Sequence, residues 1–143
     1  MIDFETRGYY IKIDATIKKI RNYFQKRFDE ANLDITVEQW VVLDNAYRNE
    51  GITQIELTEL VFKDAPTLTR IIDLLVKKDI LLRKVFETDR RKFAISVTTK
   101  GQETFKKALP IAIEARKLGW NNMSDEDFSH FYRILDTLND NFS

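Results

Sequence analysis

Cysteine is absent from the 143 residues of this chain. Its absence excludes a disulfide framework, thiol catalysis, thiol redox sensing and a cysteine-ligated zinc site. Histidine occurs once, as His130, in a predicted helix and without the HxxxH or ExxH spacing of a helical metal site. We therefore expect no metal site and no cofactor, and a surface or interface position for His130.

Glycine and proline are scarce, with four and two residues, whereas 43% of the residues are hydrophobic and 32% are charged. This composition is typical of a helix-rich globular domain and excludes a disordered or low-complexity chain. No run of 18 apolar residues occurs, and the first residues include acids and no unbroken apolar stretch. We expect a cytoplasmic protein without a membrane partner.

A net charge of either sign is also lacking, because 23 Lys and Arg residues balance 23 Asp and Glu residues. The charge is unevenly distributed, however. Residues 65–101 carry nine basic and four acidic side chains, a net +5, which leaves −5 for the rest of the chain. A basic segment in an otherwise acidic chain is typical of a surface that binds a polyanion in one orientation.

Apolar residues at helical spacing predict a first amphipathic helix from about Phe4 to Ala31. Thr36 and Gln39 have the spacing of a capping box, so a second helix is predicted to begin at Thr36 and to end near Gly51. Thr53 is positioned to cap a short third helix, Gln54 to about Val61.

A fourth helix is predicted from Pro66 to about Lys78, because proline is tolerated in the first turn, where its missing N–H costs no helical hydrogen bond. Its outward face carries Thr67, Thr69 and Arg70. A small, polar face with an arginine suits the major groove of DNA, although a solvated helix face has a similar composition.

Two β-prone runs, Leu82 to Phe86 and Phe93 to Val97, flank a charged turn over residues 87–92. This pattern predicts a β-hairpin with Arg90, Arg91 and Lys92 at its tip. Arginine inserts readily into a narrow minor groove, where the negative potential is enhanced. The alternative is an exposed, charged turn with no partner.

Thr98 begins another helix in which Phe105 is apolar and Pro110 is expected to cause a kink or an interruption. Ser124 caps a last helix whose apolar residues alternate three and four positions apart: Phe128, Phe131, Leu135, Leu138 and Phe142. Such a narrow seam packs against another helix, either within the chain or in a dimer.

Catalytic motifs are missing: there is no Gly-rich phosphate loop, Ser-His-Asp set, EF-hand or HExxH sequence. We therefore predict no catalytic residue and expect that the protein is not an enzyme. A carboxylate pair assembled only in three dimensions is the remaining enzymatic alternative.

Three helices followed by a hairpin, between Thr36 and Gly101, give the element order of a winged helix-turn-helix. Over about residues 13–138 the chain resembles the MarR family of transcriptional regulators. The segments that carry the resemblance are Thr36–Leu43, Gln54–Leu57, Pro66–Leu75, Asp89–Lys92 and Val97–Gly101.

The resemblance implies a mainly α fold with a β-hairpin wing and with dimerisation helices at both ends of the chain. The lobe that binds DNA is expected over residues 36–101, and the helical dimerisation region over 4–31 and 102–143, within a single MarR-like domain of residues 1–143. It further implies a homodimer on a pseudo-palindromic operator, with recognition helices in successive major grooves and wings in the flanking minor grooves.

Carried over by motif, Asp89 would hold Arg91 through a charge-assisted pair, and Arg91 would enter the minor groove. Phosphate contacts are expected from Thr53, Gln54, Lys77 and Lys92. The complete set of predicted DNA-binding residues is Thr53, Gln54, Pro66, Thr67, Thr69, Arg70, Lys77, Asp89, Arg90, Arg91 and Lys92.

Many members of the family release DNA when a small aromatic or phenolic effector binds, so a repressor released by an effector is expected. Tyr9, Tyr10, Trp40 and Phe105 are the candidate effector contacts, and the alternative for all four is a place in the core. The competing function is a winged-helix protein-interaction module that has lost DNA binding, against which Arg70, Arg90 and Arg91 argue.

Three departures from the family pattern lead to expectations about geometry. Asp79 replaces the usual glycine after the recognition helix, so the exit of that helix is expected to differ. Lys63 and Asp64 replace a more apolar turn, which is expected to alter how the recognition helix is presented. Pro110 brings the half-site spacing of the dimer into question.

Overall fold

The computed structural model describes residues 1–6 and 8–143 of the chain. Six helices and one antiparallel hairpin follow one another in the described residues: α1 Tyr9–Glu30, α2 Val37–Arg48, α3 Gln54–Val61, α4 Ala65–Lys77, β1 Leu81–Phe86, β2 Asp89–Val97, α5 Thr99–Gly119 and α6 Asp125–Asn141. The prediction of a mainly α fold with a small β-hairpin is confirmed.

The first helix begins at Tyr9, so the prediction of a beginning near Phe4 is wrong. Side-chain caps set the beginnings of α2 and α6 where the sequence predicts them. In the capping box of α2, the Thr36 hydroxyl accepts the Gln39 N–H at 3.1 Å, and Gln39 Oε1 accepts the Thr36 N–H at 3.1 Å. Ser124 and Asp127 form the same arrangement at the start of α6. Each cap satisfies N–H groups that have no partner within the helix.

The hydrophobic core lies between α2, α3, α4, the base of the hairpin and the first half of α5. Its largest fully buried side chains include Trp40, Leu57, Leu68 and Ile95. Phe105 of α5 lies against the ring of Trp40, with 5.5 Å between the ring centroids. These contacts make residues 33–115 one packed unit that carries α4 and the hairpin on its surface.

The two end helices are different, because their apolar residues are exposed. In α1 only Phe28, near its end, is fully buried, and no side chain of α6 is. Large hydrophobic side chains of both helices are exposed, among them Tyr10, Ile13, Ile17, Phe128, Phe131 and Tyr132. The apolar faces predicted for these helices therefore exist, but the chain does not cover them itself.

The hairpin is longer than predicted. Strand β2 begins at Asp89 and not at Phe93, and Phe86 pairs with Asp89 after a register shift next to Val85. The shift inserts an irregularity that lets the strands continue to a turn at residues 87–88. Arg90, Arg91 and Lys92 therefore lie in β2, so the prediction that they form the turn is wrong.

The exit of α4 follows the pattern that glycine usually makes, so the expectation of a different exit is wrong. Asp79 adopts the left-handed conformation with φ 61°. Its N–H donates to Val76 O at 3.0 Å, and the Ile80 N–H donates to Leu75 O at 2.9 Å. This pair of hydrogen bonds closes the helix, and aspartate is one of the few non-glycine residues that tolerate the conformation.

Pro110 does not interrupt α5, which is continuous from Thr99 to Gly119. The proline is exposed, so its ring meets solvent and not the core.

Among the residues that the structure describes, no helix has the length and apolar character needed to cross a membrane. His130 is exposed on α6, with Nε2 3.9 Å from a Glu126 oxygen.

Candidate nucleic-acid interface

Helix α4 begins at a carboxylate. Asp64 Oδ1 accepts the Thr67 N–H at 2.9 Å, and the Thr67 hydroxyl donates to Asp64 Oδ2 at 2.8 Å. These hydrogen bonds, the one from the backbone first, lower the pKa of Asp64. The turn that replaces the more apolar one of the family therefore supplies the N-cap of the helix and keeps a negative charge there.

The outward face of α4 carries the predicted groove-facing residues. Pro66 and Arg70 are exposed, and Thr67 and Thr69 are partly exposed. One shallow depression on this face is lined by Ala65, Pro66, Thr69, Arg70, Asp73 and Leu74. Pro66, Thr69 and Arg70 thus share one accessible surface, and Thr67 lies outside the lining of this depression.

Gln54 at the start of α3 reaches across to α4. Its Nε2 donates to Thr69 Oγ1 at 2.8 Å, and the Thr69 hydroxyl donates to Ala65 O at 2.9 Å. Gln54 Oε1 is buried and has no hydrogen-bond partner among the described residues. Gln54 therefore acts on Thr69, and one of its two amide N–H groups is engaged in that contact.

Thr53 is also occupied by the fold. Its hydroxyl accepts the Glu56 N–H at 3.2 Å as the cap of α3. The backbone beside it is joined to β2 by an isolated antiparallel bridge, because Ile95 N–H donates to Ile52 O at 2.8 Å and Thr53 bridges to Ala94. The sequence did not predict this bridge, whose signal is confined to Ile52 and Thr53.

A contact that the sequence did not reveal ties the recognition helix to the wing. Arg83 Nη1 of β1 lies 2.8 Å from Asp73 Oδ1 of α4, and the Arg83 guanidinium lies 5.5 Å from the centroid of the Phe93 ring. Arg83 is largely buried, with 23% of its side chain exposed. The pair fixes the hairpin beside α4, although Asp73 and Arg83 are only two charges among many in the sequence.

On the wing, Asp89 and Arg91 form the pair that the motif predicted. Asp89 Oδ1 accepts the Arg91 backbone N–H at 3.0 Å and the Arg91 Nε–H at 3.2 Å. The backbone hydrogen bond and then the side-chain one lower the pKa of Asp89. The Arg91 side chain is 92% exposed, and Arg90 and Lys92 beside it are exposed as well.

Two neighbouring lysines at the end of α4 have different environments. Lys77 is exposed, as a phosphate contact requires. Lys78 instead donates to Asp34 O at 2.9 Å and to Gln39 Oε1 at 3.0 Å, and so links the end of α4 to the α1–α2 turn. Lys78 thus has a structural role.

The four predicted effector residues do not share one site. Tyr9 and Tyr10 line an open cavity of about 820 Å³ between α1, α6 and Phe62 of the α3–α4 turn. Trp40 and Phe105 are buried, with 1% and 4% exposure, and stack on one another inside the lobe. A sequence does not distinguish tyrosines that line a cavity from aromatic residues that lie in the core.

The comparisons with known proteins concern the same part of the chain. The sequence model of the MarR family matches residues 35–93, which contain α2, α3, α4 and most of the hairpin. The HTH-type transcriptional regulator SarZ of Staphylococcus aureus is 33% identical over 94 residues, or 66% of this chain. The match spans 60% of the length of that relative.

Solved structures share the whole fold. A MepR–DNA complex from S. aureus aligns with a TM-score of 0.84 and 20% identity over 94% of this chain and 98% of the other. A mutant MarR from E. coli, in complex with operator DNA, aligns with a TM-score of 0.83 and 22% identity over 96% and 99%. At these identities the similarity establishes the fold, end helices included.

Proposed function

Since this chain belongs to the MarR family through its residues 35–93, we propose that it is a transcriptional regulator that binds double-stranded DNA at specific sequences. Two proteins of the same fold have been solved with DNA, which supports the assignment of the DNA-binding surface to the same lobe here. The relative SarZ is a transcriptional regulator by name, so an enzymatic function has no support from it.

The observation that carries the proposal is the coupling of α4 to the wing by Arg83 and Asp73, at 2.8 Å. It holds the polar face of α4 and the exposed Arg91 in one rigid unit. Recognition of a major groove and of the adjacent minor groove at once requires such a fixed relation. Arg90, Lys92 and Lys77 add positive charge for phosphates along the same surface.

The proposed active form is a homodimer. The exposed apolar faces of α1 and α6 would be buried between two copies, which would place two recognition helices at a pseudo-palindromic operator. Large exposed apolar patches mark association surfaces in soluble proteins. The two ends of the chain therefore provide the interface that the lobe itself lacks.

A small-molecule effector is proposed to control DNA binding, with repression in its absence. The support is the open cavity of about 820 Å³ at Tyr9, Tyr10 and Phe62, beside the turn that leads into α4. Because the apolar faces of α1 and α6 that form the proposed dimer interface also line this cavity, the effector would bind between the two copies. Asp14 and Asp136 also line the cavity. We therefore expect a neutral or cationic aromatic effector and not the anion common in the family.

The test is a fluorescence-anisotropy titration of the protein with its own upstream DNA and with a scrambled duplex at several salt concentrations. Tight binding that prefers the upstream DNA and weakens steeply with salt is expected. A selection from a randomised duplex library covers the case of a distant operator. Equally weak binding to all duplexes at low salt would overturn the proposal and favour the protein-interaction module.

A further inference from the structure

The hydroxyl protons of Thr67 and Thr69, two threonines of α4, are both engaged in hydrogen bonds within the protein. Thr67 donates to a carboxylate oxygen of Asp64 at 2.8 Å. The acceptor is ionised, since the Thr67 hydrogen bonds lower the pKa of Asp64, so the proton of this hydrogen bond comes from Thr67. Hydrogen bonds to a charged acceptor are about twice as strong as neutral ones, which keeps this proton in place.

Thr69 has its proton committed by a different network. Its hydroxyl donates to Ala65 O at 2.9 Å, one turn earlier, and accepts from Gln54 Nε2 at 2.8 Å. A hydroxyl has one proton and two lone pairs, so one lone pair remains. Gln54 is a positioning residue in this arrangement, because it fixes the direction of that lone pair.

After Ala65, the N–H groups of the first turn are also engaged or missing. Pro66 has none, the Thr67 N–H donates to Asp64 Oδ1, and the Leu68 N–H donates to Asp64 O. A helix N-terminus ordinarily attracts phosphate, but here a carboxylate occupies it. The first turn of α4 therefore presents the carboxylate of Asp64 and the hydroxyl oxygens of Thr67 and Thr69 as acceptors, with the hydroxyl protons of both threonines engaged.

We infer that this turn reads exocyclic amino groups in the major groove, the adenine N6 or cytosine N4 amino group, through the free lone pairs of Thr67 and Thr69. Phosphate oxygens, guanine O6 and N7, and thymine O4 are all acceptors, which leaves only the amino groups as partners. Arg70 follows Thr69, is exposed and has only hydrogen-bond donors. It is therefore the residue of this face that binds the acceptor atoms of the DNA. The inference rests on the proposed DNA-binding function and adds the chemistry of its specificity.

The test begins with a selection from a randomised duplex library by the full-length protein and by its Thr67→Val and Thr69→Val variants. Valine has the shape of threonine without the oxygen, so each variant is expected to lose its preference at one base pair of the half-site. At that pair, adenine is then replaced by purine deoxyriboside, or cytosine by its 2-pyrimidinone analogue, each of which lacks the amino group.

Wild-type affinity is expected to fall about fivefold on loss of the amino group, the equivalent of one hydrogen bond. The matching valine variant is expected to bind both duplexes equally, since the partner is already gone. The serine variants Thr67→Ser and Thr69→Ser restore the sensitivity. Thr104→Val is the control, because Thr104 makes the same 2.9 Å bond to the carbonyl one turn earlier, on α5.

A wild-type protein that ignores the amino group but is sensitive to a 7-deazapurine, which lacks the N7 acceptor, would overturn the inference. So would valine variants whose selected sequence is the same as that of the wild type. In both cases DNA binding itself remains established. Absence of sequence preference in the wild type would overturn the proposed function and this inference together.

Discussion

One carboxylate oxygen of Asp89 holds both the backbone and the side chain of Arg91. The two hydrogen bonds, at 3.0 and 3.2 Å, restrict a long side chain that is otherwise 92% exposed. A side chain that is ordered before binding loses less conformational entropy when it enters a groove. The pair would therefore lower the entropic cost of the minor-groove contact that is proposed for Arg91.

Replacement of Arg91 by alanine is expected to weaken binding to the preferred duplex by roughly 1–3 kcal/mol, the range of a good base contact. Arg91→Lys is the matched variant, since it keeps the charge and loses the planar fork of donors. Affinities are measured at one fixed salt concentration. If the Arg91→Ala protein binds as tightly as the wild type, the wing is not part of the DNA interface.

The contribution of Asp89 is expected to be independent of pH between about pH 5 and about pH 8. Its pKa is lower in the folded protein than in a free aspartate, so the pair persists above the ordinary carboxyl range and is lost only as the pH falls through the lowered value. The measurement is the affinity difference between wild type and Asp89→Asn across this range. A difference that shrinks already near pH 6 would contradict the assignment.

At the scale of elements, local chemistry made most of the fold predictable. Caps such as Thr36 and Thr53 act within one turn, so a pattern of three or four residues contains the whole interaction. The apolar residues of α4 likewise recur at helical spacing, and Leu68, Ile71, Ile72 and Leu75 are the ones that are buried. These features depend on neighbours in the sequence and not on distant contacts.

The features that could not be predicted depend on contacts between distant residues. The pairing of Ile52 with Ile95, and of Asp73 with Arg83, joins residues that are far apart in the chain or in different elements. The start of β2 at Asp89 follows from a register shift next to Val85, which the charged composition of residues 87–92 did not indicate. Of the candidate site, the Asp89–Arg91 pair was expected from the resemblance of the Asp89–Lys92 segment to the MarR family and not from the residues alone.

Gly101 is expected to be required for the contact between α5 and the hairpin. A β-carbon at this position would overlap Ile80 O and come within 2.7 Å of Val97 Cγ1, next to the Thr98 hydroxyl that caps α5. Gly101→Ala should lower the free energy of unfolding by about 1–3 kcal/mol, as overpacking does. Urea denaturation measures the loss.

Gly119 provides the matched control in the same helix, since a β-carbon there has no atom within 4 Å. Gly119→Ala is expected to leave stability unchanged or to raise it by about 0.5 kcal/mol, because alanine favours helices. Equal effects of the two substitutions would show that helix propensity, and not close packing at Ile80, determines the outcome.

At the scale of the molecule, two kinds of surface are segregated. Residues 33–115 bury a continuous core, whereas α6 and most of α1 leave aromatic and aliphatic side chains exposed. The basic segment 65–101 lies within the lobe, and the acidic excess belongs to the rest of the chain. A dimer through the ends would therefore bury apolar area outside the basic segment and leave both proposed DNA-binding surfaces free.

The double variant Phe131→Asp and Leu135→Asp is expected to dissociate the dimer, because it places two charges in the apolar seam of α6, where burial of an unpaired charge is costly. The lobe should remain folded, since α6 contributes no buried residue to it. Light scattering measures the mass, and circular dichroism measures the helix content.

Ile55→Asp, at an apolar residue of α3 that is 61% exposed, is the control and should stay dimeric. A double variant that keeps the dimer mass would place the interface away from α6, and the half-site spacing of the operator would then have to come from α1 and α5 alone.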